Sequence, residues 1–156
     1  MTGIQIDKQT TFAMLGEAHV LMAESPLHRD RSVSEIGALI LPPLMLGQLR
    51  IWRRGGLPVA LATWAWLDAA TEDAVLHQDH LPEPDQWNNG SNPVVIDFIA
   101  PFGDGFQTAR DLKRTVFPDR ALRSVRRDGN GHVLRIVQHP GRDQNGRPVK
   151  ARAYAA

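Results

Sequence analysis

Apolar positions recur three and four residues apart at Phe12, Leu15, Ala18 or His19, and Met22. That spacing is the stripe of an amphipathic helix. Thr10 or Thr11 offers a capping hydroxyl in front of it, and Ser25-Pro26 ends it after Glu24, because proline cannot extend a helix already running. Ser32-Val33-Ser34-Glu35 has the spacing of a capping box. It predicts a second helix, which Pro42-Pro43 breaks or kinks. The period then changes. Residues 48–53 and 57–67 read as two strands joined by a hairpin at Gly55-Gly56. In the second strand Val59, Leu61, Thr63 and Ala65 share one face, and Ala60, Ala62, Trp64 and Trp66 share the other. Both faces are apolar, so this strand is expected in the middle of a sheet covered on both sides.

Residues 68–77 fit a short helix. Residues 81–92 hold Pro, Asn and Gly in quick succession and read as a loop. Val94-Val95-Ile96-Asp97-Phe98-Ile99 is the strongest strand of the chain, with Val95, Asp97 and Ile99 expected on one face. After Pro101-Phe102-Gly103-Asp104-Gly105 comes a helix with Phe106, Ala109, Leu112 and Val116 as its inner stripe. Residues 121–127 and 132–137 form a last hairpin around Asp128-Gly129-Asn130-Gly131. The pattern fits one α/β domain over residues 1–138, a mixed sheet with helices on both faces. Residues 139–156, rich in Pro, Gly, Arg and small side chains, are expected to be a mobile polar tail.

Composition narrows the chemistry. At 156 residues the chain suits a single core. It has no cysteine, which removes thiolate catalysis, disulfides and cysteine-ligated zinc. No run of 18 apolar residues predicts a spanning helix, and residues 1–8 lack the layout of a signal peptide. A cytoplasmic protein is expected. A net charge of +1 argues against a nucleic-acid partner for the molecule as a whole. The segment 110–135 is nevertheless basic. It holds Arg110, Lys113, Arg114, Arg120, Arg123, Arg126, Arg127 and Arg135 against Asp111, Asp119 and Asp128. It is either a docking face for an acidic partner or the solvated side of a helix and a hairpin.

Two residues stand out as chemistry. His28, in Ser25-Pro26-Leu27-His28, follows a helix end, and a histidine in a turn suits a general base near neutral pH. The alternative is a turn capped by Ser25 with His28 at the surface. Asp97 is a lone carboxylate in an apolar strand, where it needs a cationic or hydrogen-bonding partner unless it faces water at a sheet edge. His77 and His80 with nearby Glu83 do not complete a metal set, and no metal is expected. Gly103-Asp104-Gly105 before a helix offers amides to a phosphate. No P-loop, dinucleotide fingerprint or G-x-S-x-G elbow occurs.

Taken together, these residues resemble a known family, the RTX toxin-activating lysine acyltransferases of the haemolysin-activator type. The resemblance runs from Leu15-Gly16 through Ser25-Pro26-Leu27-His28-Arg29, Pro58-Val59-Ala60 and Trp64-Ala65. It is densest from Trp87 to Gly90 and over Ile96-Asp97-Phe98-Ile99-Ala100-Pro101-Phe102-Gly103-Asp104, and it closes with Phe117-Pro118-Asp119, Arg123, Val125-Arg126 and His132-Val133. It implies a GNAT-like fold, often dimeric. The donor would be an acyl-phosphopantetheine thioester on acyl carrier protein, with no bound cofactor, and the acceptors internal lysines of an RTX toxin precursor. It places the essential histidine at His28, the essential aspartate at Asp97 and a supporting role at Ser25. The chain departs from the family's usual aromatics at Val20, Met22, Val94 and Phe98. In the resulting mechanism His28 takes the acceptor lysine's proton and Asp97 holds the imidazole, or His28 or another group takes the acyl first as a covalent intermediate. Arg110, Lys113, Arg114, Arg123 and Arg126 are the candidate carrier-docking residues. Two other readings stay open: a GNAT-like acyl-CoA N-acyltransferase for small amines, and a non-catalytic, chaperone-like binder of an RTX polypeptide.

Overall fold

The computed structural model describes residues 7–155. Asp7 opens α1 (Lys8–Ala23), its carboxylate accepting from the amides of Gln9 and Thr10. The cap therefore precedes Thr10 and Thr11, which fall in the first turn. The buried stripe is Ala18, Leu21 and Met22, with Met14 and Leu15 partly covered, while Phe12 is 70% exposed. The stripe is thus rotated from the one that begins at Phe12. In α2 (Val33–Met45) both arms of the capping box form: Glu35 N donates to Ser32 Oγ and Ser32 N to Glu35 Oε2. Pro42 and Pro43 do not break this helix. They remove two backbone donors, but Pro43 and Leu44 extend the buried face begun by Leu39 and Ile40.

β1 (Leu49–Arg54) and β2 (Leu57–Leu67) form the expected hairpin, and Gly55 and Gly56 take φ of 58° and 79°. Positive φ at both turn residues is the type I′ requirement, which glycine meets without strain. α3 (Ala69–His77), β3 (Asn92–Ile99), α4 (Gly105–Thr115), β4 (Leu122–Arg127) and β5 (Val133–His139) follow. The six-stranded sheet runs β1-β2-β3-β4-β5 and then the last strand of the chain. Every pairing is antiparallel except β3 with β4. This single mixed α/β domain is GNAT-like, and β2 lies inside the sheet, as its two apolar faces require.

Alternation along β2 sorts the layers. Leu61 joins the α1–α2 core, and Ala65 and Leu67 join a core under α3 that includes Trp87, Val94 and Ile136. These three β2 residues share one face. Ala62 and Trp64 face the other way, onto Val95, Leu112 and Phe117 around α4. α4 departs from its expected stripe: Thr108 and Leu112 are buried, but Phe106 is 81% exposed. Only the C-terminal part of this helix seats on the sheet.

The expectation of a mobile tail from residue 139 onward does not match the structure. β6 (Gly141–Arg142) and β7 (Pro148–Val149) form a small ribbon, and β8 (Arg152–Ala155) pairs with β5 along four residues. Tyr154 packs on the Ile136 core. Composition alone hid this, because an edge strand needs one inward side chain and a neighbour with free backbone groups, not a hydrophobic run. Deleting residues 140–156 is expected to destabilise the protein by about 2–3 kcal/mol, the worth of one large buried side chain. That is a drop of roughly 5–10 °C in a circular-dichroism melt. An unchanged melting temperature would show that β8 does not contribute.

Candidate active site

The end of α1 builds one half of the site. Ser25 N donates to Met22 O, and the His28 and Arg29 amides both donate to Ser25 O. Ser25-Pro26-Leu27-His28 is therefore a closed turn, and its ends are held together. Ser25 Oγ lies 2.7 Å from His28 Nδ1. Ser25 is 7% exposed and His28 5%, so the reading of His28 as a surface residue fails.

β3 builds the other half, through a defect in its pairing. Thr63 lies opposite Asp97, but the next β2 residue, Trp64, lies opposite Val95. Ile96 is the extra residue of a β-bulge. The bulge overturns the expectation that Val95, Asp97 and Ile99 share a face. Val95 packs with Trp64 on the α4 side, Ile96 packs against the α3 core, and Asp97 reaches the α1 side. There Asp97 Oδ1 lies 2.7 Å from His28 Nε2. The Asp97 amide donates to Thr63 Oγ1 at 3.1 Å, which anchors the bulge. Asp97 lies past the end of the β3–β4 pairing, but its side chain turns to His28 and is only 14% exposed, so it does not face water.

These contacts set the proton positions when both partners carry their ordinary charge. An ionised carboxylate only accepts, so Nε2 donates to Asp97. In the neutral ring Nδ1 is then the acceptor, and the Ser25 hydroxyl donates to it. Hydroxyl, imidazole and carboxylate form one chain, with the basic lone pair under Ser25. Asp97 Oδ2 is buried and makes no hydrogen bond among the described residues. A buried carboxylate oxygen without a donor is costly, which a purely structural His–Asp pair would not need.

The chain opens on a cleft of about 900 Å³, whose wall includes both His28 and Asp97. It exists because β3 and β4 pair only at Val94 with Arg123 and Val95 with Ser124, then separate. Leu27, Ile96, Phe98, Phe106 and Ala109 give it an apolar lining. The exposed Phe106 therefore faces the cleft. Of the four family departures, Met22 and Val94 are core and Val20 is exposed; only Phe98 lines the cleft.

The five docking candidates do not form one face. Lys113 donates to the carbonyls of Phe117 and Arg120, and burial pushes its ammonium pKa down despite the opposing charge of Asp119. Arg123 pairs with Glu72 at 3.1 Å. Burial raises the Glu72 carboxyl, and the Arg123 charge pulls it back. Arg126, three residues on, lies on the opposite side of β4 and lines the cleft. Arg110 and Arg114 are exposed on α4. His77 Nε2 is 4.0 Å from Asp73, and no group of three metal-binding side chains converges among the described residues. Gly103-Asp104-Gly105 carries the Asp104 carboxylate at the start of α4, paired with Arg54.

Two residues escaped the sequence reading. Thr63 is fully buried and holds the Asp97 amide; its signal was a hydroxyl in an apolar strand. Arg135 lines the cleft beside Arg126, which only strand pairing reveals. Thr63→Val, nearly isosteric, removes the acceptor for the bulge amide. It is expected to cost about 1–3 kcal/mol in urea unfolding; an unaltered midpoint would mean that the bulge holds itself.

The chain is similar to known proteins in sequence. The model of the RTX toxin acyltransferase family matches residues 7–140. The leukotoxin-activating lysine-acyltransferase LtxC of Aggregatibacter actinomycetemcomitans is 36% identical over 121 residues, covering 78% of this chain and 71% of that protein. The protein-lysine myristoyltransferase HlyC of Escherichia coli is 33% identical over 128 residues, 82% of this chain and 75% of its own length. The protein-lysine palmitoyltransferase CyaC of Bordetella bronchiseptica is 35% identical over 132 residues, 84% of this chain and 71% of its own length. With a family match across nearly the whole domain and a hydroxyl–imidazole–carboxylate chain on the wall of an apolar cleft, this protein belongs to the RTX toxin acyltransferase family.

Proposed function

We propose that the chain moves a fatty-acyl group from an acyl-carrier-protein thioester to internal lysines of an RTX toxin precursor in the cytoplasm, with His28 as the base. The observation that carries this reading is the buried Ser25–His28–Asp97 chain at the cleft wall. The names of the relatives, which specify lysine as acceptor and myristoyl or palmitoyl as cargo, support it. So does the apolar cleft, which suits a long acyl chain better than the small substrates of an acetyltransferase.

An acceptor lysine has an unperturbed pKa of about 10.4 and is a poor nucleophile as an ammonium. The ammonium first loses a proton to solvent; its amine then attacks the thioester carbonyl, a C–N bond forms, and the C–S bond breaks. The proton lost from nitrogen passes to His28 Nδ1 through the Ser25 hydroxyl that covers it, and Asp97 stabilises the imidazolium. The imidazolium then returns a proton to the departing thiolate, so the site ends as it began. The order of groups is that of a serine-hydrolase triad. Ser25 is only 7% exposed, which favours a relaying hydroxyl over a nucleophile presented to the cleft.

Transfer is read as the mass increase of a toxin precursor incubated with acyl-carrier donor, beside a circular-dichroism melt of each variant. His28→Ala is expected to abolish transfer. Asp97→Asn keeps shape but loses charge and is expected to lose about 10³–10⁴-fold. Ser25→Ala leaves room for water to relay and is expected to lose about 10–100-fold, less than the roughly 10²–10⁴-fold of a positioned acid–base group. A folded Asp97→Asn or His28→Ala protein with near-native rate would remove the mechanism, and a native protein that binds the precursor without adding acyl mass would favour a binding protein instead.

A further inference from the structure

Arg126 on β4 and Arg135 on β5 are direct cross-strand partners, so their side chains share one face of the sheet. Like charges placed opposite each other destabilise a strand pair. Across β5 from Arg135 the next strand presents Ala155. Neither guanidinium has a hydrogen-bonding or ionic partner among the described residues. Other basic groups at the cleft are committed: Arg127 to Asp79 and the Gly131 carbonyl, and Lys113 to two carbonyls. The nearby start of α4 carries the Asp104 carboxylate, which disfavours an anion there.

Both arginines line the cleft that reaches His28 and Asp97. They lie on the same face of β4 as Leu122, which packs with Leu112 of α4. They are also beyond Ser124, where β4 has already left β3. A double positive charge in the lining of an apolar cleft, with a base on its wall, fits a ligand that is anionic in one part and apolar in another. Guanidinium groups suit phosphate because they offer paired donors in a plane.

We propose that Arg126 and Arg135 clamp the phosphate of the donor's phosphopantetheine arm and so set the thioester at His28. This rests on the reading that the donor is a phosphopantetheine thioester. Carrier protein and coenzyme A share that phosphate.

The test is calorimetric titration of the full chain with long-chain alkyl thioethers, which are not cleaved, of phosphopantetheine, pantetheine and coenzyme A. The native protein is expected to bind the phosphopantetheine thioether about tenfold or more tighter than the pantetheine one, the worth of a charge-assisted contact. The double variant R126Q/R135Q, checked by its melt, is expected to bind the two alike, and R126K/R135K to keep part of the preference. Coenzyme A thioether binding no tighter than phosphopantetheine thioether supports the clamp with a carrier-borne arm. Tighter binding that still depends on the arginines supports it with a nucleotide-borne arm. A full preference retained in R126Q/R135Q, or no preference in the native protein, overturns the clamp and leaves the donor reading standing. Failure of the native protein to bind any of the thioethers overturns both.

Discussion

β3 and β4 run parallel but stay paired for only two residues before they part. A parallel pair in mid-sheet normally continues its ladder, because each strand leaves N–H and C=O groups facing the other. Here the ladder stops at Val95 and Ser124, and the sheet opens into the cleft. The helices follow from that opening. α4 seats on the sheet through Leu112 and leaves Phe106 over the gap, while the turn after α1 brings His28 to its wall.

The bulge at Ile96 converts this opening into a site. Without the extra residue Asp97 would share a face with Val95 and look toward α4. With it, Asp97 meets a histidine 69 residues away in sequence. The contact ties the first helix layer to the central strand at the point where the strand lacks its neighbour. Its cost is a buried carboxylate with one oxygen unpartnered. Thr63 and Ser25 keep the Asp97 amide and the far ring nitrogen from being left unpaired as well. The result is a buried polar chain of two hydrogen bonds, which suits base catalysis better than it suits stability.

Much of this was legible in the residues. The capping box at Ser32 and Glu35, the Gly55-Gly56 hairpin and the doubly apolar β2 each rest on local rules and appear where those rules place them. Asp97 was legible as a carboxylate needing a partner, and His28 as a histidine in a turn. The family resemblance, not periodicity, joined them. What stayed hidden depended on contacts between distant segments. Strict alternation gives no sign of a bulge, so the face of Asp97 relative to Val95 was misassigned. The stripe of α4 was read as core because a helix pattern does not reveal that half of it overhangs a cleft. The basic segment looked like one face until pairing put Arg123 with Glu72 on one side and Arg126 with Arg135 on the other. Asp7 outcompeted Thr10 as the cap because its carboxylate reaches two amides at once.

The Asp97 carboxylate holds His28 with its basic lone pair on Nδ1, under the Ser25 hydroxyl. Long-range proton–nitrogen correlation spectra of the ring, at a pH where it is neutral, test this most directly. The native protein is expected to show a protonated Nε2 and a bare, hydrogen-bonded Nδ1, with Nδ1 shifting when Ser25 is replaced by alanine. A ring with the proton on Nδ1 and the lone pair toward Asp97, or a rapidly averaging mixture of the two, would contradict it.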